Sequence, residues 1–285
     1  MDGRSARYLT TARISDKPDM QHSEKIILTT ADGARAEVFR HGAHVTSWIP
    51  ASGSERLFLS ERSSFAPGAA IRGGVPVVFP QFANMGPLPK HGFARNMEWT
   101  LIEHAESKAR FQLVSNAATM AIWPNAFVAE IEVHVDADRL DIALTVRNTN
   151  TESFSFTTAL HTYFGVRDIR DVSVRGLEGH RYRQAGTDGV QDSEPLRIDG
   201  EVDRIYFDVN RAITISDGER ETEVGARGFA DVVVWNPGMQ KAAALPDMAP
   251  DGYRRMLCVE AAAIGSPIQL AAGAQWTGAQ QIVAR

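Results

Sequence analysis

The sequence predicts an all-β protein, a large antiparallel β-sandwich with few short helices, on three observations. Apolar and polar residues alternate at a period of two, many short strand candidates follow one another at near-regular spacing, and helix-period runs are nearly absent. The alternation is clearest where Ile131, Val133 and Val135 interleave with Glu130, Glu132, His134 and Asp136. It recurs where Leu140, Ile142, Leu144 and Val146 interleave with Asp141, Ala143, Thr145 and Arg147. Successive strand side chains point to opposite faces, so such runs have one buried face. Between them, Asp136 to Arg139 reads as a hairpin connection, which makes the two strands antiparallel neighbours.

In chain order, further strands are expected at 26–30, 36–40, 44–49, 99–104, 110–115 and 154–160. Later ones are expected at 172–175, 204–207, 212–216, 232–235, 256–260 and 275–283. Only 239–244, ahead of Pro246, has room for a turn or two of helix. The segment 68–96 is too long and too rich in Gly and Pro for a simple hairpin, and a long loop in a compact domain is usually functional or disordered. Phe79, Phe82 and Phe93 favour a packed, functional loop. No internal repeat or low-complexity linker divides the chain. The expectation is one domain over 23–285, preceded by a loosely ordered extension over 1–22.

Composition excludes several function classes. With 285 residues, 44% hydrophobic and 23% charged, the chain can bury an ample core and is not a disordered tail. A formal net charge of −5 and a pI near 5.9 argue against a nucleic-acid binder, which needs clustered excess Lys and Arg. The single cysteine, Cys258, allows neither an intrachain disulfide nor a cysteine zinc site. No apolar run approaches the roughly 20 residues of a membrane span, and the first twenty residues lack the apolar centre of a secretory signal. A cytoplasmic location is expected by default, with a monomer favoured over an oligomer.

Between Glu61 and Glu98 the chain carries no acidic side chain, yet it holds Arg62, Arg72, Lys90, His91 and Arg95. Sparse cations without counter-ions suit a small anion. Arginine binds phosphate or carboxylate through a planar fork, whereas lysine acts as a point charge. Arg72 and Arg95 could equally pair with distant carboxylates. Gly73-Gly74 is not followed by Gly-Lys-Ser/Thr, so a nucleotide loop is a weak reading. His41 and His44 have ligand-like spacing but no third ligand nearby, and odd spacing in a strand sends them to opposite faces. No metal site is expected.

Two strand ends carry titratable groups. In FSFTTAL, Phe154, Phe156, Thr158 and Leu160 face the sandwich interior, and His161 falls on the opposite face with Ser155, Thr157 and Ala159. In RMLCVE, Leu257 and Val259 face inward, while Met256, Cys258 and Glu260 face the other way. A histidine and a glutamate so presented could form an acid/base pair, although a lone strand histidine or glutamate is more often an ordinary polar residue. Trp235 ends an apolar strand as a core residue or a sugar-stacking face. Asp203 could cap a turn or bind a hydroxyl.

In combination these blocks are more specific. IRGGVPVVFPQF with HGFARN, then ALHTYF, VDRIY, DVVVWNP and CVEAAA…LAAGAQWTGAQQI resemble, in order, the glucose-6-phosphate 1-epimerases (hexose-6-phosphate mutarotases). These are a branch of the aldose 1-epimerase, or galactose-mutarotase-like, superfamily. The resemblance spans about residues 26 to 283. It implies a large antiparallel supersandwich, anomer exchange on a hexose 6-phosphate, and no cofactor. It also implies His161 and Glu260 as catalytic residues, with Arg72 and Arg95 as substrate ligands, at least one of them on the phosphate. Gln81, His91 and Asp203 resemble residues lining the sugar site. Ala83 and Lys90 depart from a common glycine and a common glutamine. In the implied chemistry Glu260 takes the C1-hydroxyl proton while a protonated His161 donates to O5. The alternatives are a mutarotase for an unphosphorylated or other acidic sugar, and a non-catalytic carbohydrate-binding sandwich.

Overall fold

Residues 25–192 and 195–285 are described by the computed structural model, so the expected extension over 1–22 lies outside the described residues. The alternating runs assemble into three antiparallel sheets. A nine-stranded sheet follows the order Leu196–Arg197, Ser173–Arg175, Ile213–Ser216, Glu221–Arg227, Gln275–Ala284, Arg139–Asn148, Phe127–Asp136, Lys108–Val114 and Thr100–His104. The second sheet, which carries the site, runs Thr187–Val190, Arg181–Gln184, Val202–Tyr206, Asp231–Asn236, Met256–Leu270, Phe154–Leu160 and Val77–Val78. Its eighth strand, Tyr163–Gly165, also pairs with Met256–Leu270. Lys25–Thr29, Arg35–Phe39 and His44–Ile49 form the third. The fold is all-β, as expected. The predicted hairpin closes Asp136 on Arg139 across a two-residue turn, with Ala137 at φ 34°.

The core lies between the two large sheets. Ile131, Val133, Leu140, Ile142, Leu144 and Val146 from one sheet join Phe156, Leu160, Leu257, Val259 and Ala261 from the other in a single buried cluster. Burial of each large side chain contributes on the order of 1.5–3 kcal/mol. Gln280 is fully buried between the sheets, receives the Thr162 hydroxyl and donates to the Val259 carbonyl at 3.2 Å.

The opposite face of the site sheet is not open to water. Val78, Ala159, Val233, Ala262 and Ile264 pack with Phe82 there, and Tyr163, Met256 and Cys258 pack with Ala242 and Met248. Two segments roof this face: the acid-free stretch, and the residues from the Gly238–Ala243 helix to the Gly252–Arg255 turn. The acid-free stretch is therefore more than a loop. Val77 and Val78 pair with Leu160 and Ala159, and Phe79 packs edge-on against Phe93, Trp123, Phe127 and Phe156.

Sequence reading omitted some elements for physical reasons. Glu221–Arg227 is an internal strand of the nine-stranded sheet, but in ETEVGAR only Thr222 and Val224 are buried, too few to mark a face. The strand expected at 256–260 continues to Leu270 through an irregularity between Ala263 and Ile268. The short helix Ala117–Ile122 is set by a capping box in which Asn116 accepts from the Thr119 amide and Thr119 returns a bond to the Asn116 amide. The helix expected at 239–244 is found at Gly238–Ala243.

Candidate active site

Register brings His161 and Glu260 together. Leu160 pairs with Ala261, so the residue after one meets the residue before the other across the strand pair. The His161 amide donates to the Pro76 carbonyl at 3.0 Å, fixing the chain where it leaves its strand. On the other side of Glu260 lies Val233. His161 Nδ1 stands 3.3 Å from Glu260 Oε1. Both side chains are buried, yet His161 Nδ1 and Glu260 Oε2 have no hydrogen-bond partner among the described residues. Orphaned buried polar atoms cost on the order of 1–3 kcal/mol each, which fits groups reserved for a ligand.

Above this pair opens a cleft of about 220 Å³. His161 and Glu260 contribute to its lining along with Val233, Phe82, Ala83, His91, Trp235 and Leu245. Arg72, Lys90, Arg95, Lys241 and Asp203 supply its charges. A larger trough, about 600 Å³, lies on the nine-stranded sheet, but most of its charges pair with one another, Lys108 with Glu132 at 2.9 Å and Arg139 with Asp141 at 2.8 Å. Size therefore does not identify the site; the convergence of unpaired polar atoms does.

The cations divide by their partners. Arg72 donates from Nε to Asp247 Oδ2 at 3.1 Å, holds Nη2 3.0 Å from the same oxygen, and donates from Nη1 to the Tyr163 hydroxyl at 3.0 Å. The alternative of a distant carboxylate thus holds for Arg72. Arg95 has no carboxylate partner among the described residues. It donates from Nη2 to the Lys90 carbonyl at 3.2 Å, and its buried Nε is unpaired. Lys90 is exposed at the rim, and Lys241 is bound to Glu201 at 2.7 Å, with Asp203 4.0 Å away.

Burial and the cationic surroundings set the protonation of the pair. Desolvation pushes His161 well below its ordinary pKa, and His91, Arg95 and Arg72 push the same way. Desolvation also raises Glu260 well above the carboxylate range; Asp203 adds to this and Arg95 opposes it. Burial therefore works against the charged form of each group, whereas the implied chemistry needs imidazolium beside carboxylate. His91 is held neutral too, lowered to about 3 by burial and by Arg95, Lys90 and Arg72. Its ring meets Phe82 and His161 edge-on, with centroids 5.3 and 5.5 Å away.

Gln81 is placed differently from the sugar-lining role the resemblance implies. Its Nε2 donates to the carbonyls of Ala83 and Leu88 at 3.1 and 3.0 Å, and its Oε1 accepts from the Leu88 amide at 2.9 Å. The amide is consumed in stapling the loop, and Gln81 is not among the cleft-lining residues. His41 and His44 hold the same roof, with Nε2 of each bound to the carbonyls of Ala69 and Gly73 at 2.6 and 2.7 Å.

Sequence reasoning missed Tyr163, Lys241, Leu245 and Asp247. Tyr163 stacks on His161 with centroids 4.9 Å apart and planes at 10°, and it sits inside the HTYF block already singled out. The other three belong to the 238–255 roof, where the sequence offered only a short helix as a signal.

Known proteins match this chain along nearly its whole length. The profile of the aldose 1-epimerase family matches residues 24–283. A protein of Cenchrus ciliaris named "Putative glucose-6-phosphate 1-epimerase" is 39% identical over 273 residues, 90% of this chain and 83% of that one. A protein of Escherichia coli K12 bearing the same name is 38% identical over 254 residues, covering 83% and 82%. Among solved structures, a "putative mutarotase" of Salmonella typhimurium superposes with a TM-score of 0.82 at 33% identity, covering 88% of this chain and 87% of that one.

Proposed function

This chain belongs to the aldose 1-epimerase family, and we propose that it interconverts the α and β anomers of an aldohexose 6-phosphate, with glucose 6-phosphate as the substrate. The observation that carries the reading is the buried His161–Glu260 pair, 3.3 Å apart beneath a cleft lined by two arginines and two lysines. In the proposed reaction Glu260 carboxylate takes the proton of the C1 hydroxyl, the C1–O5 bond breaks, and His161 imidazolium protonates O5. The open-chain aldehyde turns about C1–C2. Neutral His161 then removes the O5 proton, protonated Glu260 returns one to O1, and the ring closes on the other face of C1.

Imidazolium with carboxylate and imidazole with carboxylic acid contain the same number of protons. They differ by one transfer within the pair, so burial that favours the neutral forms removes no proton the reaction needs. A phosphate dianion offsets Arg72 and Arg95, two of the charges that disfavour protonation of His161. Substrate binding therefore shifts the pair toward its charged form. Each positioned proton transfer contributes about 10²–10⁴-fold in rate.

Two charge-assisted hydrogen bonds, at roughly 1.5–3 kcal/mol each, give a 6-phosphate preference of about 10²–10⁴-fold before desolvation losses. Exchange NMR of glucose 6-phosphate anomers tests the proposal. The protein should accelerate exchange, and Glu260→Gln should abolish the acceleration. Equal acceleration of free glucose and glucose 6-phosphate would remove the phosphate claim while leaving the acid/base pair standing. Binding without acceleration would favour the non-catalytic carbohydrate-binding alternative. No cofactor is assigned, and the proposed partner is the sugar phosphate alone.

A further inference from the structure

Arg72 is the cleft cation whose geometry is most completely fixed. A guanidinium has five N–H donors. Nε–H goes to Asp247 Oδ2, Nη2 lies 3.0 Å from the same oxygen, and one Nη1–H goes to the Tyr163 hydroxyl. Hydrogen bonds to side chains thus occupy Nε–H and one Nη1–H, and the other Nη1–H and the Nη2 N–H groups remain as donors with which a guanidinium fork binds oxygens of a tetrahedral anion. Ser60 ties the same assembly together from the backbone side, donating its amide to the Arg72 carbonyl at 2.9 Å and its hydroxyl to the Asp247 carbonyl at 2.7 Å. At the far end, the Tyr163 ring lies on the His161 ring, nearly parallel.

We propose that Asp247 is a positioning residue: it aims the free fork of Arg72 at the substrate phosphate and, through the Arg72–Tyr163 hydrogen bond, fixes the ring against which His161 is stacked. The inference rests on the sugar-phosphate reading above and extends it, because it joins the phosphate end of the cleft to the proton-transfer end by three consecutive contacts. Asp247 is not itself a lining residue of the cleft and is not proposed to touch substrate.

The charge of Asp247 gives this proposal a discriminating sign. A carboxylate near a phosphate site repels the dianion, so if Asp247 acted only through its field, Asp247→Asn would tighten binding and lower KM. If it aims Arg72, the near-isosteric amide loses the charged clamp and KM for glucose 6-phosphate rises, by about 10-fold or more, with a smaller fall in kcat. Tyr163→Phe retains the stacked ring while deleting the acceptor, and KM should rise about 3- to 10-fold. In an Arg72→Ala background, Asp247→Asn should cost nothing further, because a residue acting through another is non-additive with it.

Steady-state anomerisation of glucose 6-phosphate and free glucose by wild type, Asp247→Asn, Tyr163→Phe, Arg72→Ala and the Arg72/Asp247 double variant supplies all these readouts. A raised KM in both single variants, with no added cost in the double variant, supports the proposal. An unchanged or lowered KM in Asp247→Asn, or full additivity with Arg72→Ala, overturns it. Should Asp247→Asn fail to fold, Tyr163→Phe decides alone: a raised KM supports the link, and an unchanged one overturns it. If wild type shows no preference for the 6-phosphate, the sugar-phosphate reading fails first and this proposal falls with it, an outcome separate from failure of the variants alone.

Discussion

At the residue scale, like charges at the cleft are not equivalent. Lys90 is exposed, while Arg95 is half-buried with an unpaired Nε and no carboxylate partner among the described residues. An exposed charge is screened over about 8–10 Å at physiological salt, and its contribution is small. Lys90→Gln is therefore expected to raise KM for glucose 6-phosphate only about 2- to 5-fold, an effect that shrinks in high salt. Arg95→Lys keeps the charge but loses the planar fork, and it should cost about 10-fold or more irrespective of salt. KM measured at low and high ionic strength separates the two. Sequence periodicity put His161 and Glu260 on the correct face because side chains alternate along a strand. It could not show that Arg72 is already clamped, because Asp247 lies 175 positions away.

At the element scale, the roof over the site sheet depends on a few internal staples. Gln81 satisfies two carbonyls and one amide between Ala83 and Leu88, and Gly86 sits so close that a Cβ there would approach Gln81 Oε1 to 2.3 Å. Gln81→Ala should strand those groups and loosen the loop carrying His91, at a cost on the order of 1–3 kcal/mol. Hydrogen exchange is the direct measurement. Faster exchange at the Leu88 amide is expected, and unchanged protection would return Gln81 to a direct sugar-binding role. Gly74 is a second staple point: at φ 58° a Cβ would lie 2.1 Å from the Val45 carbonyl oxygen. Gly74→Ala should therefore lower the thermal midpoint and weaken glucose 6-phosphate binding together, because the backbone beside Arg72 must move. The Gly and Pro content of this segment was legible as a sign of special backbone. Its pairing with Leu160 and Ala159 was not, because two valines carry no measurable periodicity.

At the scale of the whole molecule, buried neutral histidines couple stability to pH. His44 is lowered to about 4, by burial first, and His91 to about 3. Both pKa values are depressed, so the unfolded chain binds more protons than the folded one below about pH 6.5. Their contribution is fully present above that pH and is lost as pH falls toward 4 and 3. Each group steepens the loss by up to about 1.4 kcal/mol per pH unit. Glu260 acts in the opposite sense, because its raised pKa makes its contribution greatest in acid and loses it as pH rises. Between pH 6.5 and 5 the unfolded Glu260 carboxyl is largely ionised while burial favours the protonated form in the folded chain, so Glu260 offsets part of a slope to which His44, His91 and His161 all contribute. Urea denaturation at pH 7 and pH 5 is expected to show falling stability toward acid, with a shallower fall in His91→Gln.

What the sequence determined by itself was everything carried by local alternation and by ordered blocks: the all-β class, the core face of each long strand, the family, and the faces bearing His161 and Glu260. Period-two patterning is a property of neighbouring residues, so it survives without knowledge of the fold. Tertiary structure decided the remainder. Strand register set His161 Nδ1 3.3 Å from Glu260 Oε1, and burial of the face opposite the core pushed both groups toward their neutral forms. The 238–255 roof delivered Lys241 to the cleft and Asp247 to Arg72. Those outcomes depend on which distant segments meet and how little water remains between them, and neither quantity is written in the spacing of residues along one strand.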